Sequence, residues 1–385
     1  MEFRSAFPIA VLLGAMLGAV AAGDSDKETA PGSAAASGLV REASAAVSEA
    51  SWDIPVVRNA SVDRFIGIFT ERQQDRMALY LKRSGRYEGM IRAKLRERGM
   101  PEDLLYLSMI ESGFNPTAKS HASAVGLWQF IEGTAERYDL RVDGYVDERR
   151  HPEKSTDAAL DYLEDLHTQF GSWYLAAAAY NTGEGRVARV MRQVTGKEKG
   201  QDADFWRIRG RLPRETREYV PLMVAAALIG KEPAKYGLGG VPRWMPLEHD
   251  EVQVPGGTRL ETVAHAVGVT EAEVKRLNPH LVRAMTPPGK TAYPVRVPEG
   301  RADRFAAEFP ALQARAAQLA AAQATQQRAE AARRAASVRR HTVRRGESLW
   351  TIARRYDTTV KKVQAANQLG TRNRIRPGQR LVIPS

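Results

Sequence analysis

The stretch Met100-Pro-Glu-Asp-Leu-Leu-Tyr-Leu-Ser-Met-Ile-Glu-Ser-Gly-Phe-Asn-Pro116 reads as a helix with both ends marked. Proline stands at a first-turn position, where its missing N–H costs little, and the two acids after it suit the positive end of the helix dipole. Leu104, Leu107, Ile110 and Glu111 recur at the spacing of one core-facing side. Ser112-Gly113 and then Asn115-Pro116 break the run, which leaves Glu111 near the helix C-terminus. An apolar surround and the negative end of the dipole both disfavour a charged carboxyl there, so its pKa should be raised. A carboxyl kept protonated is the group that donates a proton to a glycosidic leaving oxygen. Standing alone, Glu111 would read as a solvated side chain at a frayed helix end.

The apolar spacing remains helical almost throughout Trp52–Gly240, the largest block of a 385-residue chain. That length implies two or three compact units plus linkers, and 43% hydrophobic residues supply a sizeable core. The absence of cysteine removes disulfides, Cys-ligated zinc, iron–sulfur clusters and thiol nucleophiles. His121 and His151 have no partner at metal-ligand spacing, and neither a Gly-rich phosphate loop nor a Ser-His-Asp order stands out. No metal and no cofactor are expected.

Residues 1–22 place Arg4 before an apolar run from Ala6 to Val20 and end in small residues, the pattern of a cleavable secretory signal peptide. The run is about 15 residues and contains Pro8, short of the roughly 20 apolar residues of a spanning helix, so no stable membrane anchor is expected. Residues 23–51 read as a spacer rich in Ala, Ser, Gly and charge. Residues 299–340, rich in Ala, Gln and Arg, read as a solvated helical tether, with too few apolar residues such as Leu312 and Leu319 for a coiled coil.

An internal repeat flanks that tether. Gly346, Leu349, Ala353, Val363, Asn367 and Pro377-Gly378 recur, 89 positions earlier, as Gly257, Leu260, Ala264, Val274, Asn278 and Pro288-Gly289. In the clearer copy, His341-Thr-Val343 reads as a strand and Leu349, Ile352, Ala353 and Tyr356 as one helix face. Thr359 caps a second helix with Val360, Val363 and Ala366 facing inward, and Arg380–Ile383 closes a β-α-α-β unit. Val252 and Val295-Arg-Val297 supply the strands of the earlier copy.

The net charge of +12 is polarised. Residues 301–340 hold eight Arg against three acids and residues 341–385 ten Lys or Arg against two, so residues 1–300 are close to neutral. The basic tail is expected to be drawn to anionic envelope polymers in a salt-sensitive way. Export and the lack of a recognised module oppose a nucleic-acid partner.

Residues 341–384 resemble the LysM peptidoglycan-binding module along their whole length, through V-x-x-G-E-S-L-W-x-I-A-x-x-Y, Asn367 and I-x-P-G-Q-x-L-x-I-P. Residues 251–298 resemble it in a divergent form. Residues 52–240 resemble the lysozyme-like lytic transglycosylases of family 1. The motifs are Glu111-Ser-Gly-Phe-Asn-Pro116 with Ser120, Gly126-Leu-Trp-Gln129 and Ala179-Tyr-Asn181 with Gly183-Glu-Gly185. Ser84-Gly-Arg-Tyr87, Leu212-Pro-Arg-Glu-Thr216 and Tyr219-Val-Pro221 extend the likeness to both sides.

The resemblance implies a multidomain chain, a mainly α lysozyme-like domain followed by small α+β LysM modules, acting on peptidoglycan glycan strands in the periplasm. It implies one catalytic acid, Glu111, which protonates the bond between N-acetylmuramic acid and N-acetylglucosamine and then serves as base for closure of a 1,6-anhydro ring. Ser120 and Gln129 would bind the sugar or Glu111, and Tyr180 would steady the carboxyl or the developing cation. Asn181 would bind substrate or fix its turn, and Gly126 would permit close approach. Each also has a structural reading: a cap for Ser120, a surface amide for Gln129, a core ring for Tyr180. Trp128 replaces the family's commoner methionine. Glu215 and Tyr219 would line the groove or pack. Asp147-Glu-Arg149 reads as a polar loop, and Ser155-Thr-Asp157 as a helix N-cap ahead of Ala158, Leu160 and Leu163. Several such enzymes are anchored through a lipid-bearing cysteine that this sequence lacks.

Overall fold

The computed structural model describes residues 52–337, 339–370 and 374–384, so the expected signal peptide and spacer lie outside the described residues. Two units are distinguished, one through Phe305 and one from Ala306.

The first unit begins with a helical block. Asn59 accepts from the backbone of Ser61 and Val62 and so starts α1 (Ala60–Gly67); a π-turn leads to α2 (Gln74–Glu97). Pro101 precedes a 3-10 turn at Glu102–Leu104 that feeds α3 (Leu105–Ser112), all eight residues of which are buried. Gly113 ends α3 at φ 59°, and a Cβ there would meet the Tyr80 ring at 2.1 Å, so the stop is also a packing contact. A short α4 (Glu132–Arg137) follows, then α5 (Pro152–Phe170), α6 (Trp173–Thr182), α7 (Glu184–Thr195), α8 (Asp202–Ile208) and α9 (Arg214–Lys231). Helix α9 packs on α1, α3 and α6, where the run Ala176–Ala179 is fully buried and lets the backbones approach. Pro221 inside α9 leaves the Arg217 carbonyl without its helical donor; Arg209 Nε supplies one at 2.8 Å.

A sequence expectation is corrected at the start of α5. Helix α5 begins at Pro152 with His151 as its N-cap, so Ser155 and Thr156 lie inside the helix and are not its cap. Proline at the first helical position fixes the start one turn early, and Thr156 Oγ1 turns back onto the Pro152 carbonyl at 2.7 Å.

The middle module pairs β1 (His249–Val254) antiparallel with β2 (Tyr293–Pro298), Val252 opposite Val295, around α10 (Leu260–Val267) and α11 (Glu271–Leu277). It docks on the helical block of the same unit. Asp147 N donates to His280 O (2.9 Å), Val282 N to Tyr145 O (3.0 Å), and Arg296 pairs with Glu153 at 2.7 Å. The backbone N–H groups of Arg301 and Ala302 both bond Asp250, which starts α12 (Ala302–Ser337), a helix that runs through Pro310.

In the second unit β3 (Arg339–Thr342) and β4 (Arg380–Ile383) pair antiparallel, with α13 (Leu349–Arg355) and α14 (Val360–Ala366) between them. Val343, Leu349, Ile352, Ala353, Val363, Leu381 and Ile383 form its core. Thr359 caps α14 and Val360 packs partly, but Ala366 is exposed. The helix ends at Asn367, and the side chain that fastens its last turn to β4 is that asparagine.

Candidate active site

Glu111 sits in the last turn of α3 with no exposed surface. Its Oε1 accepts a hydrogen bond from the Tyr219 hydroxyl at 2.5 Å, and Oε2 has no partner among the described residues. Burial pushes the pKa of Glu111 up to about 8; the nearby charge of Glu215 adds to the rise and the Tyr219 hydrogen bond opposes it. The carboxyl is therefore protonated at neutral pH, with one oxygen held and the other unengaged.

The neighbouring motif residues build the wall around this acid. Ser108 and Ser112 of α3 both donate to the Leu127 carbonyl, at 3.1 and 2.9 Å, and so tie the Gly126–Gln129 turn to the acid-bearing helix. Gly126 has φ 91°, and a Cβ on it would lie 1.8 Å from the Arg149 carbonyl, so the close approach it permits is to backbone. Gln129, itself at φ 51°, spends its amide N–H on the carbonyls of Gly126 (2.9 Å) and Ala118 (3.3 Å). Ser120 accepts from Ala124 N at 3.0 Å and locks the turn before it. Trp128 is buried and donates from Nε1 to Thr156 Oγ1 at 2.9 Å.

Tyr180, the hydroxyl expected at the carboxyl, donates instead to the Trp128 carbonyl at 2.7 Å. Tyr219 takes the place at Glu111. Asn181 prepares it: Nδ2 donates to Glu215 Oε1 (3.3 Å) and Oδ1 accepts from Thr216 Oγ1 (2.8 Å). The end of α6 is thus clamped to the first turn of α9, and Tyr219 lies one turn further on. Glu215 and Tyr219 stand four residues apart on one helix face, a spacing visible in the sequence; which of the two tyrosines reaches the acid depends on the crossing of α6 and α9. Among the described residues no group of three His, Asp or Glu could hold a metal.

The arrangement combines a neutral carboxylic acid, a phenol that supports its anion and a neighbouring carboxylate. It can give one proton and take one back.

Residues 88–202 match the transglycosylase SLT domain family, residues 248–314 the LysM-like domain of lytic transglycosylase MltD, and residues 341–384 the LysM domain family. The chain is 32% identical over 298 residues to membrane-bound lytic murein transglycosylase D of Escherichia coli K12, covering 77% of this chain and 63% of that protein. It therefore spans less than two thirds of that relative's length. It is 39% identical over 114 residues to the peptidoglycan transglycosylase gp16 of Escherichia phage T7, over 29% of this chain and 9% of that one. The 70 kDa soluble lytic transglycosylase of Escherichia coli aligns at 26% identity with a TM-score of 0.31, over 41% of this chain and 25% of that structure. The resemblance carried by the motifs is thus borne out: the chain bears an SLT domain followed by two LysM-type domains. Tyr219 and Glu215 lie outside the matched SLT segment.

Proposed function

We propose that this chain, with its SLT domain and two LysM-type modules, is an exported lytic transglycosylase that cleaves the β-1,4 bond between N-acetylmuramic acid and N-acetylglucosamine in peptidoglycan. The observation that carries the reading is the buried Glu111, neutral at pH 7 and held through one oxygen by Tyr219. Its proton passes to the glycosidic oxygen as the bond to C1 breaks. The resulting carboxylate, supported by Tyr219, takes the proton of the muramoyl 6-hydroxyl as that oxygen attacks C1 and closes the 1,6-anhydro ring. No water enters the product, and no cofactor is called for. Because Glu111 has no exposure in this structure, productive glycan binding has to open a path to Oε2.

The LysM-type modules would hold the enzyme on glycan strands in the periplasm, with residues 52–240, 251–298 and 341–384 as its domains and 299–340 as a tether. The matches to SLT and LysM families support this assignment, as does the helical block. Glu215 favours one rival, a water-using muramidase, because a second carboxylate beside the acid is what hydrolysis requires. Digestion of purified sacculi followed by mass spectrometry separates them. Anhydromuramoyl ends are expected; reducing muramic acid ends alone would replace the transglycosylase reading with the hydrolase.

A further inference from the structure

We propose that a basic cleft between the helical block and the middle module binds the carboxylates of the peptide stem carried by the glycan strand. The proposal rests on the reading of the substrate as peptidoglycan and adds a part of it that Glu111 does not touch. The cleft, about 730 Å³, lies within the first unit. Six cations line it, Arg83, Arg86, Arg150, Lys275, Arg276 and Arg283, and among the described residues no Asp or Glu does. Residues 52–300 carry 36 Lys or Arg against 34 acids, so this one-sided lining is a local concentration and not the tone of the surface.

Several of these cations are held in place. The Arg86 guanidinium lies 4.1 Å from the Trp244 ring centre, and Arg283 donates to Gly144 O at 2.7 Å while lying over Tyr145. Arg150 is 3.6 Å from Asp147 and Lys275 3.0 Å from Glu271. Arg276 is exposed and lies near enough to Glu273 to lower the pKa of that carboxyl. Like charges gathered around one concavity repel one another and raise the local potential for an anion.

The volume and the walls choose the anion. A space of this size falls in the range of small-molecule and peptide sites and is larger than one phosphate needs. Leu281, Val282, Pro116 and Trp244 add apolar surface between the cations, which suits a short chain of amide and aliphatic groups ending in carboxylates. Position favours the substrate's own peptide. The Phe114–Thr117 segment that forms one wall begins three residues after Glu111, which places the cleft beside the end of the acid-bearing helix.

The test uses the full chain and two readouts. In the first, a fluorescent soluble stem tetrapeptide is titrated by anisotropy, beside the same peptide with its carboxyls amidated. The free-acid peptide should bind in a salt-sensitive way, and amidation or the double variant Lys275→Gln, Arg276→Gln should weaken it about tenfold, the loss of one charge-assisted contact or two. Equal binding of the amidated peptide, no effect of the variant, or equally tight binding of inorganic tripolyphosphate would overturn the proposal. In the second, glycan strands with stems and strands stripped by an amidase are digested. The variant should lower kcat/KM about tenfold on the former alone; an equal loss on both would also overturn it. If the wild type releases anhydro ends from neither, the functional reading fails while the anisotropy still decides the cleft.

Discussion

A carboxyl that must donate a proton at neutral pH is useful only if folding keeps it neutral, and at Glu111 burial does so against the pull of the Tyr219 hydrogen bond. Replacement by glutamine should cut release of anhydro products by roughly a hundredfold to ten-thousandfold, the contribution of general acid catalysis, as read by product mass spectrometry. The same substitution should stabilise the protein. A carboxyl with a folded pKa near 8 against about 4.5 unfolded contributes most below pH 4.5, and that contribution is lost by up to about 1.4 kcal/mol per pH unit as pH rises towards 8. Glu111→Gln should therefore raise Tm more at pH 8 than at pH 5; an equal gain at both would mean the acid is not neutral when folded. Tyr219→Phe removes a hydrogen bond that favours the anion. The basic limb of the kcat/KM profile should move above pH 8, with turnover reduced about tenfold or more. The buried helix-end position of Glu111 was legible in sequence, because its helix face and the Gly113 stop both show there. Its phenol was not, since Tyr219 reaches it across 108 residues through a helix crossing that no local pattern encodes.

Asparagine explains why two stretches 89 residues apart share a pattern. Asn278 donates to Val274 O (2.8 Å) and Arg296 O (2.7 Å) and accepts from Arg296 N (2.9 Å). Asn367 repeats this with Val363 O, Val382 O and Val382 N, at 2.8, 2.7 and 2.7 Å. In each copy one amide closes the second helix and fastens it to the last strand, a job needing a donor and an acceptor on the same short side chain. The offset was readable in part because this residue makes the same three hydrogen bonds in both copies. The less constrained positions drifted: Leu277 is buried where its counterpart Ala366 is exposed. Asn367→Ala should cost about 2–4 kcal/mol by leaving partly buried backbone groups unpaired. Hydrogen exchange at Val382 in the full chain measures it, and protection unchanged by the substitution would refute the role. The start of α5 misled for the converse reason: Ser155 and Thr156 are good caps by type, but Pro152 had already fixed the helix start three residues earlier.

At the scale of the first unit, the middle module is seated on the loop that backs the candidate site. Arg149, whose carbonyl lies against Gly126, belongs to the same loop as Asp147, whose N–H bonds His280 of the module. The seam carries two imidazoles with ring centres 4.6 Å apart, His151 and His280, with Glu153, Arg296 and Lys154 around them. Burial holds His280 down to about 2 and also lowers His151, which faces Glu153. His280 is thus neutral when docked and takes up a proton at an ordinary pKa when exposed, and His151 is shifted in the same direction by its burial. Docking is at full strength above pH 6.5 and weakens as pH falls below it, by up to about 1.4 kcal/mol per unit for His280. Glu153, held down to about 2, adds a second loss below about pH 4.5. Hydrogen exchange at the Asp147 and Val282 amides, corrected for intrinsic rates, should therefore show protection falling up to about tenfold per unit between pH 6.5 and 5. The same decline should be absent from the core of the helical block. His280→Gln, which keeps a polar group but cannot titrate, should flatten the dependence over that range. An unchanged slope in that variant would place the proton uptake elsewhere.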